Sequence, residues 1–245
     1  MPFLLPLIFA GLIAQQPETL SLLKEPLFAP SVSKADRARL DTEIAEAQAV
    51  LKREPSNVDA ILRLTRAERE FGRVGDSLEA LTRAIETHPD EPRLTLERGR
   101  GFILIRKFEV ALRDFRKAAE TLPDAHCDIA FASYLLADYA ASHEEYGKCH
   151  PPSTAPAMFP ALAAVRAGKI PGAGLPPPAP PAHGDLAPAY ATAVAQLVAH
   201  KTSEARDLLK PLVEKNKDRW MEAVYIAAEA DYARIAKAKK SKKGR

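Results

Sequence analysis

Three prolines, Pro55, Pro89 and Pro123, stand 34 residues apart, and the residues before them keep the same register. Val50, Ala84 and Ala118 align, as do Leu51, Ile85 and Ala119; Ala47, Leu81 and Phe115; and Ile44, Leu78 and Leu112. Apolar residues that recur at three and four share one helical face, and proline cannot continue the helix it follows. Each unit therefore ends in an amphipathic helix. Helix starts are expected at Ser33 with Asp36, Ser56 with Asp59, Asp76 with Glu79, and Ser142 with Glu145, where a capping oxygen precedes a carboxylate by three. No strand-like alternation interrupts the pattern. The reading is all-α, helix and turn in alternation.

The segment from Asp90 to Pro123 resembles the tetratricopeptide repeat family, whose helical hairpins repeat every 34 residues. Gly99 stands where the paired helices cross, Phe102 is the aromatic that follows, and Phe108 opens the second helix. Ala111, Phe115, Ala118 and Pro123 complete the match. In the preceding unit Leu64, Gly72, Ala84 and Pro89 agree, while Thr65, Glu68 and Ser77 replace the family's glycine, tyrosine and alanine; in the better unit Arg98 replaces a leucine. The resemblance implies an all-α helical-hairpin solenoid over 33–150, followed by a C-terminal helical extension.

Composition divides the rest of the 245-residue chain. From Phe3 to Ala14 it is uncharged and apolar, too short for the ~20 residues of a spanning helix. With the small residues Ala10, Gly11 and Ala14 before Gln15 and Gln16, residues 1–14 are expected to be a secretory signal, although no basic residue precedes Lys24. Of 21 prolines, 11 lie between Pro151 and Pro188, so 151–184 is expected to be a proline-rich linker with one short helix near 157–167. Its PPPAPP run reads as extended polyproline. Helices are then expected over 185–199, 202–214 and 217–236, forming a hairpin and a capping helix, with Pro211 kinking or splitting the middle one. The last ten residues carry six positive charges and no negative one, which leaves −3 for the body out of a total of +3. That basic tail, 237–245, is expected to be disordered and to make at most a weak contact with anionic surfaces. The acidic, aromatic-poor body argues against specific nucleic-acid recognition.

Catalytic chemistry has little to stand on. No nucleotide loop, nucleophile elbow or paired-histidine zinc helix occurs. His126, Cys127, Cys149 and His150 make a poor metal site, because neighbours on a helix point about 100° apart. No cofactor is expected. Cys127 and Cys149 are candidates for a disulfide, should the helix from 125 be followed by an antiparallel return in an exported chain; two ordinary buried thiols are the other reading.

In the tetratricopeptide repeat family the first helix of each hairpin lines a groove that receives a peptide. By register the resemblance places Asp59, Leu62, Arg66 and Arg69 in that groove, then Arg93, Leu96, Arg100 and Ile103, then Ala130 and Tyr134. Guanidinium forks at this density suit a partner segment bearing carboxylates, or else the arginines are simply solvated. The expectation is a non-enzymatic scaffold that holds another protein, periplasmic or secreted and in a bacterial cell envelope. The alternatives are a cytoplasmic adaptor with acidic partners, or a small thiol-dependent redox protein using Cys127 or Cys149.

Overall fold

A computed structural model describes residues 16–149, 157–171 and 185–243, with the side chains of 239–243 left aside. The expected signal at 1–14, the PPPAPP run, His150 and His183 lie outside the described residues. Among those residues eleven α-helices follow a short hairpin, β1 (Thr19–Leu20) with β2 (Pro26–Leu27). The helices are α1 (Lys34–Arg53), α2 (Val58–Glu70), α3 (Val74–Thr87), α4 (Pro92–Leu104), α5 (Phe108–Ala119), α6 (Ala125–Leu135) and α7 (Tyr139–Lys148). After them come α8 (Met158–Arg166), α9 (Ala187–Val198), α10 (Thr202–Glu214) and α11 (Ala223–Lys243). The described residues are all-α apart from that hairpin, which was not expected. Two-residue strands are too short to show a period of two.

Successive helices pack antiparallel as pairs, α2 with α3, α4 with α5 and α6 with α7. The first helices also touch one another, α2 with α4 and α4 with α6. Residues of one column of the repeat occupy equivalent places: Leu81 is fully buried beside Ile61 and Leu94, and Phe115 is fully buried in the main core. Two glycines of α4 leave room for side chains of the helices on either side, Phe115 of α5 and Leu78 of α3. A Cβ on Gly99 would overlap the Phe115 ring, and one on Gly101 would lie 2.8 Å from Leu78 Cδ2.

One frame recurs in every hairpin. A small buried residue on the first helix (Thr65, Gly99, Ala130, Ala193) is followed seven residues later by a left-handed turn residue (Gly72, Arg106, Ala137, His200). Five residues after that comes a fully buried small residue on the second helix (Ser77, Ala111, Ser142, Ala205). The turns close alike: Arg73, Lys107, Asp138 and Lys201 each donate a backbone N–H to the carbonyl five residues back, all at 2.9 Å. That is the Schellman closure of a helix C-terminus. Hence α9–α10 is a fourth hairpin in the same frame, and the C-terminal helices continue the array.

Several boundaries differ from expectation for identifiable reasons. Asn57, not Ser56, caps α2, its side-chain oxygen accepting from Ala60 N–H. Helix α3 begins at Val74 rather than near Asp76, because the Glu18 carboxylate accepts the Val74 N–H at 3.2 Å. Helix α6 stops at Leu135, and Asp138 caps α7 four residues before the expected Ser142. Ser142 instead turns its hydroxyl inward. Pro211 does not split α10. The stretch 217–236 divides into a 3-10 turn, Lys217–Arg219, and α11, which runs through most of the tail expected to be disordered, to Lys243.

Eight consecutive residues of α11, Val224–Asp231, are buried. A helix buried on all sides is a core element. It lies across α6 and α9 and is covered in turn by the N-terminal hairpin, with Trp220 Nε1 donating to the Phe28 carbonyl at 2.7 Å.

Candidate functional site

The first helices of the hairpins present a ladder of charge whose centre is Glu97 on α4. Its side chain is 1% exposed. Glu97 Oε1 accepts from Arg66 Nη2 and from Arg100 Nη1, each at 2.8 Å, and Oε2 accepts from Arg69 Nη1 at 2.8 Å. Arg100 then bridges to α6, bonding both Asp128 oxygens at 3.2 and 2.9 Å. Burial alone would raise the Glu97 pKa; the charges of Arg69 and Arg100, with the Arg66 hydrogen bonds, override it and hold the carboxyl at about 2. The ladder ties three hairpins together across their shared face.

Arg93 forms a second, more exposed link. It donates to Asp59 on α2 at 2.7 Å and to Glu91 at 2.8 Å. Arg98, the residue that replaces the family's leucine, grips both oxygens of Asp114 on α5 at 2.8 Å. The substitution exchanges an apolar contact within the hairpin for a bidentate ion pair.

The groove residues read from the sequence divide sharply. Leu62, Leu96, Ile103 and Tyr134 are buried and offer no surface to a partner, which corrects their assignment as groove-lining positions. Each first helix is covered by its own partner and by the neighbouring hairpins, so only a narrow stripe stays open. On α2 that stripe runs through Asp59, Arg63 and Arg66. Arg69 and Arg100 are largely enclosed by their bonds to Glu97, with side chains 17% and 24% exposed. Arg66 and Arg93 stay about half exposed. The expected free guanidinium forks are therefore already engaged by the chain's own carboxylates.

Tyr134 shows what became of the C-terminal part of the face. It is fully buried, its hydroxyl lying 3.0 Å from that of Tyr190 and accepting from Arg166 at 3.2 Å. Above it Asp231 of α11 receives Arg166 at 2.6 and 2.9 Å, Tyr190 at 2.8 Å and Arg234 at 2.5 Å. Burial would raise the Asp231 pKa, and the two arginines bring it below the usual carboxylate value. The same burial pushes the Tyr134 phenol well above its ordinary range. The chain's own last helix thus occupies the α6–α9 end, and the open stripe lies on α2 and α4.

Cys127 and Cys149 are joined in a disulfide with Cα atoms 4.8 Å apart. Beside it His126 Nδ1 lies 2.6 Å from Glu145 Oε2, a second tie between α6 and α7. No cysteine is free, and among the described residues no cluster of three or more metal-ligating side chains occurs.

No family model and no curated protein sequence matches the chain. Among solved structures it is similar to a tetratricopeptide repeat protein from Parabacteroides merdae, with a TM-score of 0.50 at 15% identity, covering 83% of this chain and 88% of that one. The fold is that of a tetratricopeptide-repeat array. Within that array, sequence reasoning missed the acidic half of the ladder. Glu97 and Asp128 each stand two residues before the small crossing residue of their hairpin, Gly99 and Ala130. That shared register marks them, although it is visible only once the shortened third hairpin is aligned.

Proposed function

We propose that the chain is a non-enzymatic scaffold that holds a segment of another protein on the open stripe of α2 and α4. The observation that carries this reading is the Glu97 ladder. A buried carboxylate holds Arg66, Arg69 and Arg100 at fixed positions across two hairpins, so the face is preorganised and has little side-chain entropy left to lose on binding. Arg66, bonded to Glu97, and Arg93, bonded to Asp59 and Glu91, stay about half exposed and are the residues placed to meet carboxylates of a partner, Arg93 by exchanging those bonds.

We infer a periplasmic or secreted setting in a bacterial envelope. The Cys127–Cys149 disulfide supports it, since such bonds persist in oxidising compartments, and the apolar stretch 3–14 agrees with it. The disulfide also disfavours a thiol-dependent redox role, which needs a free nucleophile. The basic end of α11 adds a weak attraction to anionic surfaces in this reading.

The test is affinity capture from an envelope extract with the wild-type chain, with Arg66→Ala plus Arg93→Ala, and with Arg113→Ala on the outer helix α5 as control. Glu97 keeps Arg69 and Arg100 in the double variant, so the fold is expected to survive. Partners should be lost from the double variant alone; capture that is the same with all three contradicts the assignment.

A further inference from the structure

A cleft of about 710 Å³ opens where the N-terminal hairpin, the start of α5, the end of α6 and the second half of α11 meet. Its apolar walls come from Leu22, Leu23, Phe108, Leu136 and Ala233. Its rim carries Lys24, Arg234 and Lys237 against one acid, Glu109. Arg234 is committed to Asp231 and the Leu135 carbonyl. Lys24 and Lys237 make no ion pair among the described residues, so the rim has an excess of uncommitted positive charge.

The cleft is built rather than incidental. Its hairpin wall is held by the Leu22 N–H donating to Glu229 Oε1 at 2.7 Å, while Glu229 Oε2 accepts from Arg106 Nε at 2.8 Å. Arg106 and Glu229 are a buried pair, 3% and 0% exposed, and Arg106 continues to the Trp220 carbonyl at 2.9 Å. The hairpin tip is locked by the Ser21 hydroxyl, which accepts from Leu23 and Glu25 N–H. That lock puts Lys24 at φ 69°. The left-handed region is costly for lysine and free for glycine, and strain of this kind collects where a side chain has work to do.

We propose that this cleft binds one acyl chain of an anionic amphiphile, with the chain along Leu22, Leu23, Phe108 and Leu136 and the head group between Lys24 and Lys237. Preformed clefts of this size with apolar walls and a few placed charges are ordinary ligand sites. Complementarity of charge selects an anionic head over a neutral or cationic one. The proposal is independent of the α2–α4 stripe, which lies on other helices.

Titration calorimetry of the full chain with dodecanoate, dodecyl phosphate and neutral dodecyl maltoside, each below its micelle threshold, tests it. One-to-one binding of an anionic probe is expected, at least tenfold tighter than the maltoside; the better of the two anionic probes identifies the head group. Lys24→Gly should weaken that binding at least tenfold while its thermal midpoint stays level or rises, which a merely structural lysine would not do. Ala233→Phe, which fills the cleft, should abolish binding with the helical circular dichroism unchanged. Absence of binding by both anionic probes overturns the proposal, as does wild-type affinity in Lys24→Gly or Ala233→Phe. Capture by phosphatidylglycerol vesicles without binding of either free anionic probe also overturns it, and assigns the attraction to the tail's charge alone.

Discussion

Ser142 Oγ donates to the carbonyl of Ala130 at 2.8 Å, across the paired helices of the third hairpin. Ser77 makes the same bond to Thr65 at 2.8 Å in the first. Both serines stand where the family carries alanine, and both are fully buried. A hydroxyl there is tolerated because the facing helix offers it a carbonyl. Ser142→Ala removes donor and cost together, so thermal unfolding should show a change within about 1 kcal/mol. Ser142→Val adds bulk to a closed crossing and should lose about 1–3 kcal/mol.

Glu97 gives a pH signature. Its carboxyl is held at about 2 against an ordinary 4.5. A depressed folded-state pKa contributes stability that is present above the unfolded value and lost as pH falls through the folded one. The contribution is about 3 kcal/mol at neutral pH. Glu97→Gln leaves three arginines facing a neutral group and should lose about 3–5 kcal/mol at pH 7. Denaturant melts should show the gap between wild type and variant closing between pH 4.5 and about 2. A gap that stays constant across that window would show that Glu97 acts by packing alone.

The left-handed turn residues separate strain from bonding. Ala137 and Arg106 hold the same position at φ 65° and 63°. Ala137→Gly relieves strain and removes nothing else, so stability should rise by about 0.5–1 kcal/mol. Arg106→Gly relieves the same strain but leaves the Glu229 carboxylate buried without its counter-charge. A net loss of about 2–4 kcal/mol is expected. Equal effects in the two variants, read from chemical denaturation, would contradict the role given to the Arg106–Glu229 pair.

Much of the array was legible because period and proline act through the backbone. The column through Leu81 and Phe115 follows from spacing, and the Gly99 crossing and the start of α5 at Phe108 from the resemblance to the repeat family. The third hairpin was harder to read, since its crossing residue falls 31 positions after Gly99 rather than 34, which made Ser142 look like a cap. The fourth was hidden further, because Ala193, His200 and Ala205 follow the proline-rich break and three of the four left-handed residues are not glycine. The site was least legible. Arg66, Arg69, Arg93 and Arg100 were visible as arginines on one face, but whether a guanidinium is free depends on carboxylates one hairpin away. Burial of Tyr134 depends on a helix that begins 89 residues later.

Reduction should cost stability measurably. The Cys127–Cys149 bond closes a loop spanning 22 residues, for which chain entropy gives about 3 kcal/mol. For a chain of this size that corresponds to a fall of roughly 6–12 °C in thermal midpoint. Scans with and without reductant check it, and Cys127→Ser plus Cys149→Ser should melt at the reduced value in both. A midpoint indifferent to reductant would show that the bond is absent from the isolated protein.

The binding role assigned to the α2–α4 stripe meets its most direct test in site-specific photo-crosslinking inside cells. A photoreactive residue replaces Asp59, whose side chain is 78% exposed on the stripe, or the exposed Arg113 on α5. Neither site lies in the core. Position 59 is expected to trap a discrete protein adduct that position 113 does not, and Arg66→Ala plus Arg93→Ala should remove it. Equal labelling from both positions, or an adduct from 113 alone, would place the interaction surface elsewhere on the molecule.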